Sequence, residues 1–267
     1  MKKQNWLKHE EECFEYLVSE YSTERVSFDI RGGSVSNESD IAVNVDGHPA
    51  FYIEAKMPGS QCGQFVLFPD EASGRFVYSL RNRSPKTAAV DAIMLAMDRE
   101  FDKYKVPSTK ELGLDKNLYV NWIVEYYASK GVRYFITRSN GFVIFPIERF
   151  GEYFDVSAVY RIKKSGSANP AQRDVEPIRR LLENDGLQYG NLHFYDGKLY
   201  VDIGCGRETF KIAGGSVDFF FRKERGGRYV VTKLSNTNNA NVIFSISLKR
   251  GADVNDIHAF EKELSQY

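Results

Sequence analysis

The chain has 267 residues, and 42% of them are hydrophobic, a share typical of a folded protein with a sizeable core. Its 36 basic and 36 acidic side chains cancel, so any attraction to nucleic acid must come from local patches and not from the overall charge. No run approaches the roughly 20 apolar residues of a membrane helix, and the charged start does not resemble a secretion signal. We therefore expect a cytoplasmic protein without a membrane partner.

The first residues show hydrophobic side chains at helical spacing, which predicts a helix over 5–20. Alternating apolar and polar residues then predict two strands, over 40–45 and 51–56. Asp46-Gly47 between them is a turn signal, so the two strands are predicted to form a hairpin.

Two helices and two strands are predicted next. Ser84-Pro85 is typical of a helix N-terminus, and a second helix over about 115–130 ends near Gly131. Strands over 134–137 and 142–145 follow. This order of elements predicts an α/β arrangement with one central sheet.

The pattern changes beyond Pro146, where short strands alternate with turns rich in Gly and Asn. One helix, over about 175–184, interrupts them. The predicted strands are 156–162, 192–195, 198–203, 218–222, 229–234 and 242–248. A domain boundary is therefore expected near residue 146.

Three cysteines, Cys13, Cys62 and Cys205, lie far apart and lack CxxC spacing, which argues against a zinc site and a disulfide framework. Residues 161–180 form a basic patch in which only Asp174 and Glu176 are acidic. Such a run of charges is usually a solvated face. Its members are Arg161, Lys163, Lys164, Arg173, Arg179 and Arg180.

The hairpin carries a group of residues suited to phosphodiester chemistry. Glu54 and Lys56 are two apart on a strand and must project from the same face. If the turn centres on Gly47, Asp40 lies opposite Glu54, where cross-strand Cβ atoms are roughly 5 Å apart. Two carboxylates and an ammonium on one face suit hydrolysis assisted by Mg²⁺, a hard cation that prefers oxygen ligands.

The role of Lys56 is left open by the spacing: it positions or deprotonates the attacking water, or it steadies the phosphate. Glu10 lies on the hydrophobic stripe of the first helix, where a buried carboxylate needs a partner. It is interpreted either as pointing to the metal site or as lying at a stripe edge that reaches solvent.

Other chemistries find little support. The four histidines show no metal-ligand spacing, and no phosphate-binding glycine loop is present.

Several segments, in order along the chain, resemble the HhaI-like type II restriction endonucleases of the PD-(D/E)XK superfamily. They are 51–67, 120–123, 125–127, 145–148, 160–167, 234–237 and 239–248. Residues 168–230 match much less clearly, and Ser39 stands where the motif has proline. The resemblance implies an α/β (α+β) fold: a nuclease core with a central mixed sheet flanked by helices, followed by smaller mixed, β-rich DNA-binding domains.

The resemblance further implies a monomeric enzyme that cuts double-stranded DNA within GCGC and has a companion DNA methyltransferase. The alternatives to this sequence-specific DNA endonuclease are a structure-specific or repair nuclease of the same fold and a catalytically silent DNA-binding module. A catalytic domain is expected at 1–146, a sequence-recognition region at 147–170 plus 228–267, and an accessory DNA-backbone-binding domain at 171–227. The motif places catalysis on Asp40, Glu54 and Lys56 with Glu10, and Mg²⁺ binding on Asp40, Glu54 and Ala55.

The resemblance also gives a function to polar clusters that are otherwise ambiguous. Hydroxyl, amide and ammonium groups of this kind bind base edges or phosphates. The residues expected to contact DNA are Gln61, Gln64, Lys163, Lys164, Ser165, Ser167, Asn236, Asn238, Asn239, Asn241, Arg179 and Arg180. The asparagines of 236–241 are predicted to form a loop before the last strand. A turn without a role in DNA binding is the alternative interpretation, since asparagine favours turns for local backbone reasons.

Overall fold

A computed structural model describes residues 5–31, 39–82, 84–164, 166–215, 217–224, 227–235, 238–249 and 257–267. The predicted DNA contacts Ser165 and Asn236, and the side chain of Lys164, lie outside the described residues. The helices are α1 Asn5–Tyr21, α2 Ala88–Arg99, α3 Phe101–Tyr104, α4 Lys116–Ala128, α5 Phe150–Tyr153, α6 Val175–Asn184 and α7 Ile257–Leu264.

The strands in the described residues form three sheets. They are β1 Val26–Ile30, β2 Ile41–Val45, β3 His48–Ala55, β4 Gln61–Asp70, β5 Arg75–Tyr78, β6 Val132–Arg138, β7 Phe142–Pro146, β8 Phe154–Lys164, β9 Ser167–Ala168, β10 Tyr189–Tyr195, β11 Lys198–Ile203, β12 Thr209–Ala213, β13 Val217–Lys223, β14 Tyr229–Ser235 and β15 Asn238–Leu248. The protein is therefore a mixed α+β structure. The chain divides into two compact units, residues 1–161 with 240–267, and residues 162–239. The three-part division remains a prediction.

The first unit contains a five-stranded mixed sheet in the order β1-β2-β3-β6-β7, with β3 and β6 parallel. The predicted hairpin is confirmed, because β2 and β3 are antiparallel and joined by Asp46 and Gly47, which both have positive φ. Such a turn matches the right-handed twist of the flanking strands. Ile41 pairs with Ile53, a register that sets Asp40 opposite Glu54.

Strand alternation divides the side chains of this sheet between two cores. Ile41, Val43, Phe51, Ile53 and Ala55 project from one face of the hairpin and share one hydrophobic cluster. Helix α1 buries Cys13 and Leu17 in the same cluster, and α7 adds Phe260. The opposite core lies against α2 and α4, whose buried residues include Trp122, Tyr127 and Met97.

A second sheet in this unit, ordered β5-β4-β15-β8, contradicts the expectation of one central sheet. The backbone of β4 passes close to α4 at Gly63, where an added Cβ would lie 2.8 Å from the Trp122 ring. Gly63 also has φ +117°, which L side chains rarely adopt.

Two local predictions are wrong. The helix predicted to begin at Ser84-Pro85 begins at Ala88, and Thr87 is its N-cap, accepting a hydrogen bond from Val90 N–H. Ser84 instead bonds the Tyr78 hydroxyl. Asn238, Asn239 and Asn241 do not lie in a loop; they begin β15.

The second unit is built on the sheet β10-β11-β14-β13-β12, with β9 paired to β14. Helix α6 has the bounds predicted from sequence and buries Ile178 and Leu182 against this sheet. Its polar face carries Arg179 and Arg180, both exposed. Within the described part of the chain no helix is long and apolar enough to cross a membrane.

Candidate active site

Asp40, Glu54 and Lys56 come together at one end of the β2–β3 hairpin. The ammonium of Lys56 lies 2.5 Å from Glu54 Oε1 and 4.0 Å from Asp40 Oδ2. Asp40 immediately precedes β2, and its Oδ2 accepts a hydrogen bond of 3.0 Å from the backbone N–H of Ala55. The sequence therefore predicted a group of residues that the fold assembles.

These polar side chains are buried. Asp40 is 8% exposed, Glu54 4%, and Lys56 14% by its side chain. Burial, and then the neighbouring Glu54 carboxylate, raise the pKa of Asp40 well above its ordinary range, although Lys56 opposes the shift. Burial opposes the charged form of Lys56, but Glu54 and Asp40 hold the pKa of its ammonium above the ordinary value.

Glu10 belongs to the same cluster. It is 9% exposed, and burial raises the pKa of its carboxyl, with Lys56 opposing and Glu54 adding to the shift. The interpretation that it turns inward, and not to solvent, agrees with this burial. Glu10 also lines a cavity of about 190 Å³ together with Trp6, His9 and Lys56.

The cluster contains more carboxyl groups than ammonium groups. Glu54 Oε2 and Glu10 Oε2 are buried, and no hydrogen-bond donor among the described residues reaches either atom. Three carboxyl groups thus surround one ammonium, and a buried carboxylate is costly without a partner. A cation with oxygen ligands would supply the missing charge.

No group of three or more His, Cys, Asp or Glu side chains in the described ranges is arranged to hold a metal ion. This does not conflict with Mg²⁺, which usually binds one or two carboxylates and keeps several waters. Asp40 and Glu54 supply two carboxylates, so the residues fit Mg²⁺ and do not fit a structural zinc site. The three cysteines are free thiols, as expected, and Cys13 and Cys62 are buried.

Three further side chains lie at this site that the sequence did not predict. His9 is 7% exposed on α1, and burial lowers the pKa of its imidazole, opposed by a hydrogen bond to the Lys56 backbone. Tyr127 on α4 places its ring centroid 5.3 Å from Lys56 Nζ. Cys62 is fully buried beside Tyr127. Their residue types and positions gave no signal, since each reaches the site through tertiary packing.

The predicted DNA-contacting residues are divided between the two units. In the first, Gln61 and Gln64 are exposed on β4 and hydrogen-bond each other at 3.1 Å. Asn241 is only 3% exposed and pairs with Val66, which leaves little of its side chain for DNA.

The second unit contains the other described candidates. Lys163 lies near the end of β8, Ser167 is exposed on β9, and Asn238 and Asn239 begin β15. Arg179 and Arg180 are exposed on α6, and Arg180 lies 3.6 Å from Glu176 in a solvent-exposed ion pair. The helix therefore offers guanidinium groups to a ligand at little energetic cost.

Comparison with known proteins identifies a relative by its structure. No protein-family model matches the chain, and no curated protein sequence matches it. The solved structure of HhaI endonuclease in complex with DNA superimposes with a TM-score of 0.86 at 41% sequence identity. The match covers 98% of this chain and 100% of that chain.

Proposed function

Since this chain belongs to the HhaI family of restriction endonucleases, we propose that it is a Mg²⁺-dependent type II enzyme that cuts double-stranded DNA within GCGC. The observation that carries the proposal is the buried group of Asp40, Glu54 and Lys56, with two carboxylate oxygens of Glu54 and Glu10 left without a donor in the described structure. Phosphodiester hydrolysis uses this combination of oxygen ligands and one ammonium.

Asp40 and Glu54 would hold Mg²⁺, with the backbone of Ala55 between them as a further contact. The Ala55 N–H donates to Oδ2 of Asp40, which fixes the orientation of this carboxylate. When bound, Mg²⁺ supplies Lewis acidity that offsets charge developing on the phosphate and promotes formation of hydroxide from water.

Lys56 faces the same site from the end of β3. Its ammonium donates hydrogen bonds and bears a positive charge, so it steadies a non-bridging phosphate oxygen or orients the attacking water. Glu10 lines the same cavity as Lys56 and would accept hydrogen bonds from water there. Attack on phosphorus breaks the bond to the 3′ oxygen, which takes a proton, and leaves a 5′-phosphate and a 3′-hydroxyl.

Sequence recognition is assigned to the polar clusters on β4, β8, β9 and β15, and backbone contacts to Arg179 and Arg180. HhaI endonuclease has been solved with DNA, which supports double-stranded DNA as the ligand of this chain. The enzyme is proposed to act as a monomer in the cytoplasm, beside a companion methyltransferase that protects the same sequence.

The decisive experiment incubates the purified protein with plasmid DNA and Mg²⁺ and sequences the ends that appear. Cuts confined to GCGC support the proposal. Cuts at branched or damaged DNA without sequence preference would replace it by a structure-specific nuclease, and binding without any cutting would indicate a silent DNA-binding module.

A further inference from the structure

We propose that Tyr127 is a positioning residue for the catalytic lysine: its ring forms the wall of the site that holds the Lys56 ammonium towards Glu54 and Asp40. This inference rests on the proposed nuclease function, because it assigns a role to a residue of that same site. It concerns a residue on helix α4, far in sequence from the catalytic hairpin.

The first support is the position of the ring. Lys56 Nζ lies 5.3 Å from the ring centroid of Tyr127, within the distance over which an ammonium is attracted to the face of an aromatic ring. The same ammonium contacts Glu54 on another side. Lysine has a flexible four-carbon stem, so a single carboxylate contact does not fix where its nitrogen lies.

The second support is that the ring is itself fixed. Tyr127 is 4% exposed and makes edge contacts with Tyr126, at 4.9 Å, and with Phe135, at 5.2 Å. A ring restrained on several sides restricts its neighbour in turn.

The third support is that one strand positions both the ring and the catalytic residues. Phe135 on β6 contacts Tyr127 and pairs with Glu54 in the parallel register. The next residue, Ile136, accepts a hydrogen bond of 2.9 Å from Lys56 N–H. Strand β6 therefore fixes the lysine backbone and the wall against its side chain together.

Burial makes this attraction larger than it would be in water. The Lys56 side chain is 14% exposed, and desolvated ammonium groups interact with aromatic rings several-fold more strongly than exposed ones. Loss of the ring would leave the ammonium free to move away from the phosphate.

The test measures single-turnover cleavage with Mg²⁺ and DNA affinity with Ca²⁺ for Tyr127→Leu, Tyr127→Met and Tyr127→Phe. We expect Leu and Met, which fill space without a ring, to lower the cleavage rate on the order of 10-fold. DNA affinity should stay within about 2-fold, because Tyr127 is buried and does not reach DNA. Phe keeps the ring and should restore the rate to within about 3-fold of the wild type.

Two controls distinguish positioning from general loss of structure. Tyr119→Leu removes a fully buried tyrosine ring two turns away on the same helix; it should lower the melting temperature without lowering the single-turnover rate. Lys130→Ala removes a second ammonium, 5.2 Å from the Tyr127 ring, and should cut at the wild-type rate.

The outcomes separate this inference from the proposed function. If the wild type cuts, Lys56→Ala does not, and both Tyr127→Leu and Tyr127→Met cut at the wild-type rate, Tyr127 does not position the lysine although the nuclease function stands. The same conclusion follows if Tyr127→Phe is as slow as Tyr127→Leu, or if Lys130→Ala reproduces the defect. If the wild type never cuts DNA, both proposals are overturned.

Discussion

The carboxylate of Asp40 accepts a hydrogen bond from the backbone N–H of Ala55 at 3.0 Å, so the two strands of the hairpin are joined at the candidate metal site. Asp40 immediately precedes β2, and Ala55 is the last residue of β3. The contact orients a ligand carboxylate before any metal binds, which reduces the reorganisation needed for catalysis.

Replacing Lys56 or Glu54 by alanine is expected to abolish cleavage while leaving the fold and most DNA affinity intact, because both residues act on the phosphate and not on bases. Cleavage of a cognate duplex, affinity in Ca²⁺ and thermal melting are measured together. Lys103→Ala, which removes an exposed lysine paired with Glu100, is the matched control. A Lys56 or Glu54 variant that keeps more than a few per cent of wild-type cutting does not belong to the catalytic centre.

Glu10→Gln should have a milder effect than loss of a metal ligand. A carboxylate that acts through water or through neighbouring groups typically contributes on the order of 10–100-fold to activity. Since Glu10 Oε2 has no donor in the described residues, the amide should not weaken folding. Parallel losses of thermal stability and cleavage would show that Glu10 is structural.

Ca²⁺ in place of Mg²⁺ should support specific binding without cleavage. Ca²⁺ accepts looser coordination and more ligands, so it offsets the charge of Asp40 and Glu54 but does not promote hydrolysis effectively. Binding is measured by a mobility shift and cleavage by gel in the same buffer. Rapid cutting with Ca²⁺ alone contradicts the proposed chemistry.

Lys163→Ala is expected to reduce sequence discrimination, whereas Arg179→Ala is expected to reduce the affinity for all DNA. If Lys163 donates to guanine, its loss should remove roughly 1–3 kcal/mol of discrimination at one base pair. The affinity for random DNA should change little. Loss of an arginine that binds phosphate, either Arg179 or Arg180, should weaken all sequences alike and reduce the slope of log affinity against log salt by about one.

The two roles are distinguished by measuring the affinity of each variant for cognate and random duplexes across a salt series. Lys164→Ala is measured alongside, and at least one lysine of the pair is expected to read a base. If both lysine variants keep full discrimination, recognition lies elsewhere, and Asn236–Asn241 becomes the next candidate cluster.

The second unit should become less stable in acid, because protonation of Asp174 removes its negative charge. Although burial opposes its charge, hydrogen bonds from Lys233, at 2.6 Å, and from Ala171 N–H hold the pKa of Asp174 below its ordinary value. The charged Asp174 therefore makes its full contribution to the free energy of unfolding above the unfolded-state pKa, near 4. That contribution is lost as the pH falls through the lower folded-state pKa.

Lys233→Met should lower the free energy of unfolding by about 1 kcal/mol at pH 7, a value kept small because solvent screens the partly exposed amine. The difference from the wild type should shrink by about pH 3. Urea denaturation at both pH values measures it, with the exposed Lys198→Met as the control. An equal difference at both pH values would exclude the Asp174 pair as its cause.

The local features of this protein could be predicted from its sequence. Asp46-Gly47 sets the hairpin turn, and two-residue alternation then places Glu54 and Lys56 on one face with Asp40 opposite. Helices α1 and α6 follow from hydrophobic spacing. These features depend on residues close in the chain, so short-range rules are sufficient to predict them.

The surroundings of the catalytic residues, in contrast, depend on contacts between elements that are far apart in the chain. Strand β4 pairs with β15, so that Val66 lies opposite Asn241, a residue far from it in the sequence. Helix α4 brings Tyr127 to Lys56. No spacing rule connects such distant positions, because their contact depends on how whole elements pack and not on local conformational preference. The start of α2 shows the same limit on a smaller scale: Ser84 and Thr87 both suit a helix cap, and the hydrogen bond from Tyr78 engages Ser84.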